Sequence, residues 1–289
     1  MQPEHIHAAV GVDLGASNLR VGVMNKGALE IPYHVPINNT ESPEDLIHQL
    51  LDGLRMVVDS NTPSIGIGVP SVVDPEKGIV YNVQNIPSWE EVHLADIIER
   101  EFHIPVYINN DANCFAWGEY LHGVGAQHPV KSMVGLILGT GFGLGLVLDG
   151  RLYSGPHCGA GEVGMLPYKE SILEHYCSGQ FFERELQQSG SEVYEKAMLG
   201  DVEAKEVFRT FGHHVGKGIQ TVMYAFDPEV IVLGGSAAKA LHLYEESLHQ
   251  ALDSFAYKKQ RDDIIIETTS LENAGIYGAA SLALTKVGP

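Results

Sequence analysis

Apolar positions fall first into short runs and only later into helical spacing. Residues 8–13 and 20–24 are apolar-rich stretches on either side of the turn Gly15-Ala16-Ser17-Asn18, which predicts two strands. Further on, Leu46, Ile47, Leu50, Leu51, Leu54, Val57 and Val58 recur at the spacing of one buried helical stripe. Ser42 suits the cap of that helix, Pro43 its first position, and Glu44 and Asp45 its positive end. Residues 65–69 are almost continuously apolar, as a strand buried on both faces requires. A shorter helix around Leu94, Ile97 and Ile98 leads into a strand over 106–108.

The second half opens the same way. A strand over 133–138 runs into the turn Gly139-Thr140-Gly141-Phe142-Gly143 and a returning strand over 144–148. A long helix over about 202–226 follows, then a strand at 230–233, a helix after Gly235 and a strand at 264–267. The Ala-rich segment 273–285 predicts a last helix packed back on the first half. Strands alternating with helices predict an α/β fold with largely parallel sheets. The repeated opening predicts a duplication, two α/β domains facing across a cleft. The expected boundaries are 1–112, joined by the helix within 273–289, and 113–272.

Composition narrows the partners. The formal net charge of −19 argues against nucleic acid and against anionic membranes, while leaving local nucleotide binding open. No apolar run reaches the ~18–20 residues that span a bilayer. The start Met1-Gln2-Pro3-Glu4-His5 lacks the basic and apolar regions of a secretory signal. Three cysteines, Cys114, Cys158 and Cys177, show no CxxC spacing; they point to a reducing compartment, the cytosol, and away from disulfides or a cysteine zinc site.

Five segments carry candidate chemistry. In Asp13-Leu14-Gly15-Ala16-Ser17-Asn18 a glycine turn offers backbone N–H groups to phosphate oxygens, and Asp13 is placed to hold Mg²⁺ through water. Read alone, it fits a plain polar hairpin better. Gly139-Thr140-Gly141-Phe142-Gly143 is a second amide-rich loop, and two such loops can grip a triphosphate from both sides. Asn109-Asn110-Asp111-Ala112-Asn113 ends a buried strand, where α/β proteins bind ligands. Asp111 there is either a general base for a hydroxyl or an ordinary helix cap. Glu162, in Gly159-Ala160-Gly161-Glu162-Val163-Gly164, and Glu174 are carboxylates suited to sugar hydroxyls, or else two solvent-facing glutamates. Finally, the strand before Gly234-Gly235 ends in a turn that lets a base or ribose approach the backbone, or in a common strand–helix turn.

Their order along the chain carries more than any one of them. With Gly68-Val69-Pro70-Ser71 and Asn85-Ile86-Pro87-Ser88-Trp89 between them, these segments resemble the ROK family (repressors, open reading frames and kinases), of the actin-like sugar kinase fold, over essentially the whole chain. The resemblance implies two ribonuclease H-like domains and phosphoryl transfer from MgATP to a hexose, usually at the 6-hydroxyl. It implies Asp111 as base and Asn110, Glu162, Glu174 and Asn85 as sugar ligands. Asp13, Gly15, Ser17, Asn18, Gly139, Thr140 and Gly141 would handle Mg²⁺ and phosphates, and Gly234 and Gly235 would lie against the adenosine. The family commonly forms homodimers.

One departure stands out. Where the family has a histidine and then a cysteine-rich zinc finger, this chain has Met165 and only seven residues before Leu173-Glu174. A thioether is a poor zinc ligand and a weak acceptor, so no structural zinc is expected and one hydrogen bond to the sugar is lost. His157, Cys158, His175 and Cys177 do not match common zinc spacings. Glucose is the first expectation for the acceptor, with N-acetylmannosamine or N-acetylglucosamine as alternatives. The rival readings are a sugar-responsive regulator, which would need a DNA-binding segment ahead of the first strand, and a catalytically impaired sugar-binding protein.

Overall fold

The computed structural model describes residues 9–15, 18–37, 43–81 and 89–285. The opening strands are β1 (Ala9–Leu14), β2 (Asn18–Asn25) and β3 (Ala28–Pro36). Helix α1 (Pro43–Arg55) and strand β4 (Ile65–Val69) follow, then a small three-stranded sheet of β5 (Val72–Asp74), β6 (Ile79–Tyr81) and β7 (Glu91–Val92). Helix α2 (Leu94–Phe102), strand β8 (Val106–Asn110) and helices α3 (Asp111–His122) and α4 (Val124–Gln127) complete this stretch. The main sheet has the order β3-β2-β1-β4-β8. The β1–β2 and β2–β3 pairs are antiparallel, the β1–β4 and β4–β8 pairs parallel.

The chain then repeats the plan. Strands β9 (Met133–Leu138), β10 (Phe142–Leu148) and β11 (Arg151–Tyr153) are followed by a short hairpin of β12 (Pro167–Tyr168) and β13 (Ser171–Ile172). Helices α5 (Leu173–Cys177), α6 (Gln180–Leu186), α7 (Gly190–Met198) and α8 (Val202–Phe226) lead to β14 (Val230–Gly234). Helices α9 (Leu241–Leu252) and α10 (Lys258–Asp263), strand β15 (Ile265–Thr268) and helix α11 (Ala274–Ala280) end the fold. The sheet order β11-β10-β9-β14-β15 has the same logic as the first, with parallel pairing of β14 to both β9 and β15. The predicted duplication is therefore present in the topology.

Contacts group the chain into two units, 1–129 with 145–160 and 270–289, and 130–144 with 161–269. The sequence-predicted division between 112 and 113 falls inside α3, after its second residue. Helix α3 packs on α11 at backbone distance. A Cβ on Gly118 would lie 2.0 Å from the Ala274 carbonyl oxygen, and one on Gly278 would lie 1.7 Å from the Cys114 oxygen. Strands β1 and β4 approach the same helix, with Gly11 facing Ile276 O and Gly66 facing Ala279 O.

The core of the first unit joins the α1 stripe, Leu46, Leu50 and Leu54, to Val12, Leu19, Val21 and Ile67. Helix α1 stops three residues short of the predicted stripe, at Arg55. Val57 and Val58 still pack on the core from a turn closed on the Leu54 carbonyl. Ser42, expected as the α1 cap, lies outside the described residues. No described helix is long and apolar enough to cross a membrane.

Candidate active site

In the first unit the parallel strands end beside two candidate carboxylates. Asp13 ends β1 opposite Arg20 of β2, which it meets in an ion pair of 3.3 Å. Burial raises the Asp13 carboxyl above the ordinary range, and the Arg20 charge offsets part of this. Arg20 also donates to Asn273 Oδ1 at 3.1 Å. The turn closes through Gly15 N–H to Asn18 O, 2.9 Å. Ser17 and Asn85 lie outside the described residues.

At the end of β8 the chain turns directly into α3. Asn110, extended at φ −64° and ψ 148°, is the N-cap: its Oδ1 accepts from Ala112 N–H at 2.9 Å. Asp111 is therefore the first helical residue, and its Oδ1 accepts from the same amide at 2.8 Å. Asn110 Nδ2 donates to Ser71 O at 3.2 Å, which ties the cap to the segment after β4. Strand β4 passes beneath at Gly68, where a Cβ would stand 3.7 Å from Asp111 Cα. A carboxylate is thus presented at the carboxyl end of a buried parallel strand, on a helix terminus that favours its charge.

In the second unit the glycine loop between β9 and β10 is buttressed by Glu174. Phe142 N–H donates to Glu174 Oε2 at 2.9 Å and Gln180 Nε2 donates to Oε1 at 3.0 Å. A Cβ on Gly141 would come within 2.7 Å of the same carboxylate. Glu174 is partly buried and fixed, unlike an ordinary surface glutamate. Glu162 starts a one-turn 3₁₀ helix, Glu162–Met165, and is more accessible. Desolvation raises its carboxyl above the usual value near 4.5, with the Glu174 charge adding to the shift. The two glutamates therefore sense each other.

The missing finger is replaced by the β12–β13 hairpin, closed at its base by Leu173 N–H to Leu166 O at 3.0 Å. Met165 stands 60% exposed beside Leu166, 44% exposed. Among the described residues no group of three or more His, Cys, Asp or Glu side chains is placed to hold a metal. Three of the four residues considered for zinc have other partners: the Cys158 thiol donates to Asn109 Oδ1, the Cys177 thiol donates to His214 O, and His175 Nδ1 pairs with Ser171 Oγ.

Gly234 and Gly235 end β14 against the β9–β10 loop. Gly235 adopts φ +85°, and a Cβ there would lie 2.4 Å from Leu138 O, so only glycine fits. Next to this junction opens a cavity of about 460 Å³ lined by Gly139, Thr140, Phe182, Tyr194, Ser236 and Lys239. Its size lies within the range of small-molecule sites, about 300–1,000 Å³. Amide-rich loop, aromatic walls and a single ammonium suit a nucleotide. Phe182, Tyr194 and Lys239 were not picked out in the sequence. A Mg²⁺ ion that keeps its waters and takes phosphate oxygens would need only one or two carboxylates, and Asp13 would be the one offered here.

Residues 9–286 match the ROK family. The chain belongs to the ROK family. An N-acetyl-D-glucosamine kinase from Mannheimia succiniciproducens is 30% identical, with 96% of this chain and 99% of that protein covered. The xylose repressor of Bacillus spizizenii is 24% identical over 96% of this chain and 77% of its own length, so the ROK relatives include regulators. Among solved structures, a ROK hexokinase from Thermus thermophilus superposes with a TM-score of 0.80 at 27% identity, covering 97% and 99% of the two chains. A ROK family glucokinase from Streptomyces griseus, in complex with glucose and AMPPNP, gives 0.80 at 24% identity over 97% and 100%. The actin-like α/β fold expected from the motifs is the fold of this ROK chain.

Proposed function

We propose that this ROK sugar kinase transfers the γ-phosphoryl group of ATP to the 6-hydroxyl of a neutral hexose, with glucose the first candidate. The observation that carries the reading is the Asn110–Asp111 junction at the end of β8, where a carboxylate is held at a helix start by a separate capping residue. Asp111 takes the proton of the attacking hydroxyl. Asn110 and Asn85 orient the sugar, and Glu162 and Glu174 accept its other hydroxyls. The Gly139–Gly141 loop, with Gly15, Ser17 and Asn18, holds phosphate oxygens, and Gly234 and Gly235 lie beside the adenosine. Asp13 would hold Mg²⁺ through water; when bound, that ion neutralises charge on the transferring group.

A second reading for the acceptor, an N-acetylhexosamine, is favoured by Met165. In a 3₁₀ helix residues three apart eclipse one another, so the thioether lies on the face of Glu162 and offers an apolar neighbour to an acetamido methyl. The relative named N-acetyl-D-glucosamine kinase agrees with it. Release of ADP from ATP should be followed over glucose, mannose, fructose, N-acetylglucosamine and N-acetylmannosamine. Turnover with at least one sugar, well above the sugar-free rate, is expected. Sugar binding without ADP release would replace the kinase by a sugar-responsive binding protein.

The carboxylate pair predicts a pH dependence. Glu162 accepts hydroxyl donors as its anion, and its pKa stands above 4.5. Sugar affinity is then full at neutral pH and falls as pH drops through that raised value. In Glu174→Gln the like charge is gone, so the acid limb of 1/KM moves toward 4.5 even though the overall KM rises. KM profiles from pH 4.5 to 8 check this; superimposable limbs would contradict it.

A further inference from the structure

Behind Asn110 and Asp111 lies a buried polar cluster that the proposed chemistry does not use. Asn109 is 6% exposed, and its Oδ1 is a shared acceptor. It receives the Asn110 backbone N–H at 2.9 Å, Asn113 Nδ2 at 2.9 Å, the Ser154 hydroxyl at 3.3 Å and the Cys158 thiol at 3.3 Å. Asn109 Nδ2 donates back to Ser154 Oγ at 3.1 Å, and Asn113 Nδ2 also approaches Cys158 Sγ at 3.7 Å. With two lone pairs, Oδ1 shares these four donors, and the carboxamide is held at both its oxygen and its nitrogen. Because one of its partners is the Asn110 amide, the backbone at the β8–α3 junction is fixed along with it.

Cys158 reaches this cluster at a conformational cost. Its φ is +52°, a region that non-glycine residues seldom enter. Such backbone persists where its surroundings over-determine it, and it concentrates at functional sites. The side chain is 3% exposed, and burial raises its thiol above the ordinary cysteine value, which keeps the S–H donor in place at neutral pH.

We propose that Cys158 is a positioning residue for Asp111: acting through Asn109, it fixes the backbone where strand turns to helix and so holds the Asp111 carboxylate at the angle needed to take the hydroxyl proton. This rests on the assignment of Asp111 as the base. Nothing in the thiol's role requires it to ionise or to touch sugar or nucleotide.

The test compares Cys158→Ala with Cys158→Ser, each assayed well below its melting temperature. Small misplacements of reacting groups can cost up to ~10²-fold in rate. Cys158→Ala is expected to lose about tenfold in kcat per folded molecule, equivalent to about 1.4 kcal/mol. Deuterium uptake over residues 106–113 should rise in the same variant. Cys158→Ser, which keeps a donor on Asn109, should return both readings to within about threefold of the parent, a rescue that a volume-filling role would not give. If the alanine variant does not fold, Ser154→Ala removes another partner of the same oxygen and is read in the same way. An alanine variant with unchanged kcat and uptake overturns the proposal, and so does a serine variant as impaired as alanine. If the parent protein phosphorylates no sugar, the functional reading fails on its own, while the exchange experiment still decides whether Cys158 holds the junction.

Discussion

Asp111→Asn is expected to keep the native fold and lose at least ~10²-fold in kcat, the low end for removal of a general base. The fold survives because the helix cap is not at stake: Asn110, one residue earlier, caps α3 through Ala112 N–H. An asparagine at 111 keeps an oxygen for the same amide, which Asp111 Oδ1 meets at 2.8 Å. What the helix start loses is a negative charge next to its positive end, about 0.3–1 kcal/mol. The melting temperature should therefore move by only a few degrees while turnover collapses. Steady-state ADP release and a thermal melt on the same preparation separate the two effects. A variant with kcat within tenfold of the parent would remove Asp111 from the chemistry.

Gly278→Ala is the structural counterpart, with its effect on stability. The new methyl would be built 1.7 Å from the Cys114 carbonyl oxygen, so α11 and α3 must separate. Overpacking against rigid backbone costs toward and beyond ~3 kcal/mol, and a drop of roughly 6–12 °C in melting temperature is expected for a domain of this size. Gly275→Ala is the internal control. It lies on the same helix, nothing stands within 4 Å of its added Cβ, and a gain of up to about 1 kcal/mol is expected from helix propensity alone. Equal melting temperatures for the two variants would show that the helices can part freely.

These positions also mark what could be read in advance. The strand, glycine turn and second strand at the head of each half were legible, because apolar runs broken by glycine are local signals. The same holds for the α1 stripe and for the carboxylate at the end of β8. Strand β3 was missed although Leu29, Ile31, Tyr33 and Val35 alternate along it; these positions are only partly buried, so the stretch reads more like surface than core. Helix α7 was missed despite a local signature, the Ser189 and Glu192 capping box. Choosing between Asn110 and Asp111 as cap was beyond sequence, since either side chain can serve and only the backbone angles decide. The walls of the 460 Å³ cavity come from separate elements, α6, α7 and the segment after β14. Cys158 meets Asn109 across 49 positions. Neither leaves a periodic trace.

Three glycines from β1, β4 and α3 receive a helix contributed by residues 274–280. On the ribosome, the chain up to residue 129 must wait for about 150 further residues before that helix exists, roughly 8 to 30 seconds at elongation rates of about 5–20 residues per second. Throughout synthesis of the intervening part, the early sheet keeps a bare backbone groove where its last helix will dock. Completion of the earlier-made sheet is thus timed by the arrival of residues 274–280.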